Sequence, residues 1–138
     1  MADLQRFLEA QADSYGQALA ELEAGHKRSH WMWFIFPQIA GLGHSSTARH
    51  YAIRSRDEAS AYLAHPVLGS RLTACTSAVL RHTGRPAEAI FGSVDAMKFR
   101  SSMTLFDAVA GASEPRFVKA LTAFYGGERD QRTLELLA

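Results

Sequence analysis

Leu4, Phe7, Leu8, Tyr15, Leu19 and Leu22 recur at helical spacing through a stretch rich in Ala, Glu and Gln. This pattern predicts a first helix running from an Asp3 cap to a stop at Gly25. Ser55-Arg56-Asp57-Glu58 has the spacing of a capping box and opens a second helix through Leu63, which the restriction of Pro66 on His65 closes. Pro66 then suits the first turn of a further helix, in which Leu68, Leu72, Cys75 and Val79 form one apolar stripe before Gly84.

The C-terminal half repeats this grammar. Pro86 starts a short helix through Ala89-Ile90-Phe91 that Gly92 ends, and Ser93 caps a longer one in which Phe99, Met103 and Phe106 share a face. Ser113 is the expected cap of a helix carrying Phe117, Leu121 and Phe124 to Gly126-Gly127, and Asp130 that of a last one through Leu134 and Leu137. No pair of alternating apolar and polar runs flanks a hairpin turn. The expectation is an all-α fold of about seven helices packed as a single domain over residues 1–138, without a structural sheet.

One segment resists periodicity. Arg28-Ser29-His30-Trp31-Met32-Trp33-Phe34-Ile35-Phe36-Pro37-Gln38 holds both tryptophans, and short apolar runs of this kind suit a strand or a buried helix equally. A lone strand would leave its backbone groups unpaired, so the rest of the chain favours a short buried helix capped by Ser29 and ended before Pro37. Lys27 and Arg28 then stand at its N-terminus, where they would favour an anion.

Length and composition exclude several classes. With 138 residues, 47% of them apolar, the chain can bury a core without metals or disulfides. Fifteen Lys and Arg against fourteen Asp and Glu leave a formal charge of +1, no general footprint for nucleic acid or an anionic membrane. The single Cys75 excludes an internal disulfide, and Met1-Ala2-Asp3-Leu4 carries an acid and no apolar leader. A soluble, cytoplasmic protein is expected, and composition is silent on its oligomeric state.

The same aromatic segment, with Gly25-His26-Lys27 ahead of it, is followed by Gly41-Leu42-Gly43, His65-Pro66-Val67-Leu68-Gly69, Ile90-Phe91-Gly92 and Lys98-Phe99-Arg100-Ser101-Ser102-Met103-Thr104-Leu105-Phe106. In these motifs the chain resembles, nearly end to end, the bacterial domain-of-unknown-function 1810 family. The resemblance implies a compact, mainly helical single domain and no established activity, substrate or cofactor.

Chemistry must be read from residue types. His30 is the candidate acid or base, because imidazole titrates near neutrality; packed against tryptophan, it would instead be a satisfied core histidine. Trp31 and Trp33 are core residues or a platform for a ligand ring, and Gln38 orients a ligand or closes the turn after Pro37. On a helix Lys98, Ser101 and Ser102 share one face. Lys98 with two hydroxyls suits a phosphate or carboxylate better than it suits a Ser-Lys nucleophile, since a mid-helix serine lacks an oxyanion hole. The alternative is a pair of serines bonded back to helical carbonyls.

Gly41-Leu42-Gly43 lacks the strand and third glycine of a dinucleotide fingerprint and reads as a turn, after which Ser45 or Ser46 caps the helix holding Tyr51. Six histidines show no metal-ligand spacing, so no metal and no cofactor is expected. Two readings remain open. In one, Arg28, His30, Trp31, Trp33 and Gln38 face Lys98, Ser101 and Ser102 across a pocket that binds or turns over a small anionic metabolite, phosphorylated or nucleotide-like ligands included. In the other, a non-enzymatic helical module docks a protein partner and its motifs specify only the core.

Overall fold

The computed structural model describes residues 3–138; Met1 and Ala2, where the leader-free N-terminus was read, lie outside the described residues. Among these residues the helices are α1 (Gln5–Ala12), α2 (Tyr15–Ala24), α3 (Met32–Ile35), α4 (Ser46–His50) and α5 (Arg56–Ala64). They continue as α6 (Leu68–Leu80), α7 (Ala87–Phe91), α8 (Ser93–Ala110), α9 (Arg116–Tyr125) and α10 (Gln131–Leu137), with a 3-10 turn at Gly111–Ser113. Seven have seven residues or more, and the only strand-like pairing among the described residues is one isolated parallel bridge between Ile39 and Ile53. The fold is all-α.

Several caps stand where the sequence puts them. Ser45, Ser55 and Asp130 accept the N–H groups of Ala48, Glu58 and Thr133, and Gly25 ends α2 in a left-handed conformation at φ 75°. Five expectations need correction, the first being the Asp3 cap, since the N-cap of α1 is Leu4, whose side chain makes no capping hydrogen bond. The first helix breaks at Asp13-Ser14, where short polar side chains weaken the helix, and the break lets α1 pack on α3 while α2 packs on α6. Ser29 does not cap α3, whose N-cap is Trp31, because its hydroxyl donates to Glu21 instead. Ser93 is the first residue of α8 rather than its cap, since Gly92 at φ 83° both ends α7 and opens α8. Ser113 closes the 3-10 turn by donating to Ala110, and Glu114 accepts the Arg116 N–H ahead of α9.

Buried apolar side chains from nearly every element form one cluster around α8. Residues 101–107 of this helix are all buried, as expected of a helix surrounded on every side. Phe99 packs edge-on against Phe36 at 4.9 Å between ring centroids and stacks on Phe91 at 4.8 Å, so the aromatic segment is fastened directly to the central helix. At the crossing of α5 and α6 a Cβ on Gly69 would lie 2.0 Å from the Leu63 carbonyl oxygen, so only glycine permits that approach. His65 caps α6 by accepting the Val67 and Leu68 N–H groups at Nδ1, with Pro66 in the turn just ahead of the helix.

A second tie joins α1 to the 50–58 region. The buried Arg6 guanidinium lies 2.8 Å from Glu58 Oε1 and donates to the carbonyls of Asp3, His50 and Ala52, while Glu58 also accepts the Arg54 N–H. Charge and hydrogen-bonding capacity are thus met together inside the fold, as a buried pair requires. Cys75 is fully buried, and burial pushes its thiol up to about 12. It should therefore resist a thiol reagent in the folded protein and react at the rate of an ordinary thiol in denaturant, as a chromogenic labelling time course would show.

Candidate functional site

The turn ahead of α3 is built around one carboxylate. Glu21 Oε1 accepts the Arg28 and Ser29 N–H groups and the Trp31 indole N–H at 2.8–3.0 Å, while Oε2 accepts from the Ser29 hydroxyl and the Gln17 amide. Burial alone would raise the Glu21 carboxyl, but donation from Arg28, Ser29 and Trp31 outweighs it and holds the group at about 2. Trp31 is accordingly a core residue with a satisfied N–H, and the Arg28 side chain points away, exposed.

The following residues carry the chain onto α8. Lys27 Nζ donates to the Ser29 carbonyl, lies 4.9 Å from the Trp31 ring centroid and pairs with Asp95 at 2.9 Å. It is occupied by structure rather than poised for an anion. Asp95 also stands 3.8 Å from Lys98 Nζ, which in turn sits 5.2 Å from the centroid of the half-buried Trp33 ring. Beyond Pro37, Ile53 donates its N–H to the Gln38 carbonyl and Ala40 donates to that of Ile53, fixing the Gln38 backbone. Gln38 is half-buried, and among the described residues only its backbone carbonyl is hydrogen-bonded.

The polar flank of α8 is bound to the segment before α10. Ser101 Oγ lies 3.2 Å from both the Met97 carbonyl and Asp130 Oδ2, Thr104 Oγ1 accepts the Asp130 N–H, and Asp107 pairs with Arg129 at 2.6 Å. Arg100 donates to the Glu128 and Arg129 carbonyls. At Ser101, Thr104 and Asp107 this flank is therefore an internal contact. Ser102 differs from its neighbour: its hydroxyl is buried and has no partner among the described residues, not even the carbonyl one helical turn back.

Between these walls lies an open cleft of about 380 Å³, lined by Gln38, Leu42 and Gly43 on one side, Val94, Met97, Lys98 and Ser101 of α8 on the floor, and Asp130 and Arg132 on the other. A smaller cavity beside it is bounded by Trp33, Tyr51, Gln38 and Gly43. Val94, Met97, Lys98 and Ser101 follow helical spacing, so one stripe of α8 supplies the floor. Val94 and Met97 are 65% and 71% exposed, and only Val67 joins them as an exposed large apolar side chain among the described residues.

Of the residues read from sequence, Gln38, Lys98 and Ser101 meet in this cleft, and Trp33 borders it through the adjoining cavity and the Lys98 ammonium. Arg28, His30, Trp31 and Ser102 do not line it. His30 is exposed and bonds to no described residue, because Glu21 holds the turn in a shape that leaves the imidazole outside. It is not the packed core histidine, and it is not among the residues that line the cleft. Sequence reasoning leaves out Leu42, Gly43, Val94, Met97, Asp130 and Arg132 among the cleft-lining residues; for Val94 and Met97 their helical spacing with 98 and 101 is the available signal. No group of three or more His, Cys, Asp or Glu among the described residues has the geometry to hold a metal ion.

Residues 1–137 match the family described as Protein of unknown function (DUF1810). The chain belongs to the DUF1810 family. This DUF1810 chain is similar to the conserved hypothetical protein Rv1873 from Mycobacterium tuberculosis, a crystal structure at 1.38 Å, with 52% identity and a TM-score of 0.94. The likeness covers 98% of this chain and 96% of the other. No curated protein matches.

Two stability outcomes follow from the polar geometry. Because the Glu21 carboxyl is lowered from 4.5 to about 2, its contribution is fully present above pH 4.5 and is lost as pH falls between those values. Glu21→Gln should cost about 1–3 kcal/mol at neutral pH in urea unfolding, with the difference from wild type narrowing over that acid window. Ser102→Ala loses no hydrogen bond, removes a desolvated hydroxyl and improves helix propensity, so the same measurement should show a gain of about 0.5–1 kcal/mol.

Proposed function

We propose that this DUF1810 protein binds, in the cleft over α8, a small metabolite carrying negative charge, phosphorylated and nucleotide-like molecules included among the candidates. The observation that carries the reading is the convergence of Lys98 and the uncommitted Gln38 amide, from segments sixty residues apart, on one concavity beside Trp33. Its volume is within the range of small-molecule sites. Binding is favoured over turnover, since His30, the candidate acid or base, is not among the residues that line the cleft.

The setting proposed with it is the bacterial cytoplasm. Support comes from the source of the similar crystal structure and from the buried free thiol of Cys75. Among the described residues no helix is long and apolar enough to cross a membrane. A formal charge of +1 gives no reason to propose a nucleic-acid partner.

A second reading, a non-enzymatic interaction module, draws on the exposed Val94 and Met97, which a protein partner would also cover. The two separate in a thermal-shift screen of phosphorylated metabolites, nucleotides and organic acids, where a ligand at 100 times its Kd stabilises the protein by about 2.7 kcal/mol. Lys98→Ala should weaken the hit roughly ten- to a hundredfold while leaving the unliganded Tm nearly unchanged, because Asp95 keeps Lys27 as its partner. A screen without a Lys98-dependent hit rejects the metabolite reading.

A further inference from the structure

Resting on the cleft as a ligand site, we propose that its ligand is an amphipathic monocarboxylate: an apolar, flat or branched body bearing a single carboxylate, and not a phosphate ester. Three independent features of the lining carry this.

The first is the floor. Val94 and Met97 are large apolar side chains left 65% and 71% exposed on the same stripe of α8 that presents Lys98, and Leu42 faces them from the loop. A polar metabolite such as a sugar phosphate would leave this surface wet, whereas an apolar body covers it. The proximity of Trp33 suits a planar body in particular.

The second is charge. The lining holds two cations, Lys98 and Arg132, and one carboxylate, Asp130. Each cation already has an acidic neighbour, Asp95 at 3.8 Å from Lys98 Nζ and Glu135 at 3.4 Å from Arg132. The lining alone carries one positive charge in excess, and with Asp95, Glu135 and the Lys27 that shares Asp95 counted the total is zero, a balance that suits a singly charged ligand better than a doubly charged one. A phosphate monoester carries about −1.5 to −2 at neutral pH and would meet Asp130 and Asp95 with charge left over.

The third is the supply of donors. Phosphate recognition rests on several converging donors, frequently from arginine forks. Here the Ser101 hydroxyl proton is engaged by Asp130 or the Met97 carbonyl, leaving the Lys98 ammonium and the Gln38 amide inside the cleft and the 61%-exposed Arg132 at its rim. An ammonium and an amide are a sufficient partner set for the two oxygens of a carboxylate. They do not surround the three oxygens of a phosphate.

Calorimetric titration of the whole chain with 2-naphthoate, 2-naphthyl phosphate, 2-naphthol and AMP separates these terms, because the first three share one apolar body. The expected result is binding of 2-naphthoate at least about tenfold tighter than each of the others. Lys98→Ala and Met97→Asp should each weaken it by about tenfold or more with the fold intact by circular dichroism, Met97 being exposed. Tighter, Lys98-dependent binding of 2-naphthyl phosphate or AMP overturns this inference while leaving the cleft as an anion site. Naphthoate binding indifferent to both substitutions overturns it, and so does the failure of all four probes to bind; the broader reading is decided separately by its own metabolite screen.

Discussion

A helical stretch buried on every side cannot leave its polar side chains to water, and residues 101–107 of α8 include four of them, Ser101, Ser102, Thr104 and Asp107. Three are met by the segment that precedes α10: Asp130 takes Ser101, Thr104 takes the Asp130 N–H and Arg129 takes Asp107. Arg100 adds a hold on the Glu128 and Arg129 carbonyls. Ser101 and Thr104 also reach the Met97 and Arg100 carbonyls one turn back, so the group that depends outright on the C-terminal segment is Asp107, whose buried carboxylate would cost about 1–3 kcal/mol if left without Arg129. Asp130 and Arg132 form one wall of the cleft.

The opposite wall has a parallel origin. Glu21 gathers the backbone N–H groups of the turn after Gly25 and the indole of Trp31, which sets the direction in which the aromatic segment enters the core. Phe36 then meets Phe99 on α8, and the Ile39–Ile53 bridge steadies Gln38. Lys27, Asp95 and Lys98 form a chain of charges that ties this wall to the first turns of α8. Each wall is thus held by interactions that do not involve a ligand.

What was legible in the sequence divides along the range of the interaction. Helical type, the caps at Ser45, Ser55 and Asp130 and the stop at Gly25 are decided within a few residues and stand as the sequence implies. Ser29 has the right chemistry for a cap, but a carboxylate eight residues away competes for its hydroxyl, and no local pattern shows that competitor. The same holds for His30, whose type suggests acid-base chemistry while its direction is set by Glu21. Among the site residues, Gln38, Lys98 and Ser101 were recognisable because they are polar groups embedded in apolar motifs. Arg132 was not, since an arginine on a short terminal helix has no distinguishing context until α10 docks.

Val94 and Met97 make the most instructive case. With Phe99, Met103 and Phe106 assigned to the core face of α8, the helical repeat leaves 94 and 97 on another side, where the fold supplies nothing to cover them. Elsewhere the described chain is economical with exposed apolar surface, Val67 being the sole further large example. Their position is the more telling because Lys98 beside them is already ordered between Asp95 and the Trp33 ring, so little side-chain entropy remains to be lost when an anion arrives. An apolar floor left open next to a cation held in advance is an arrangement that stability alone would not select, since a polar residue at either position would be tolerated by the fold. The ligand proposed above would find in this cleft both things it needs, uncovered apolar surface and a cation beside it.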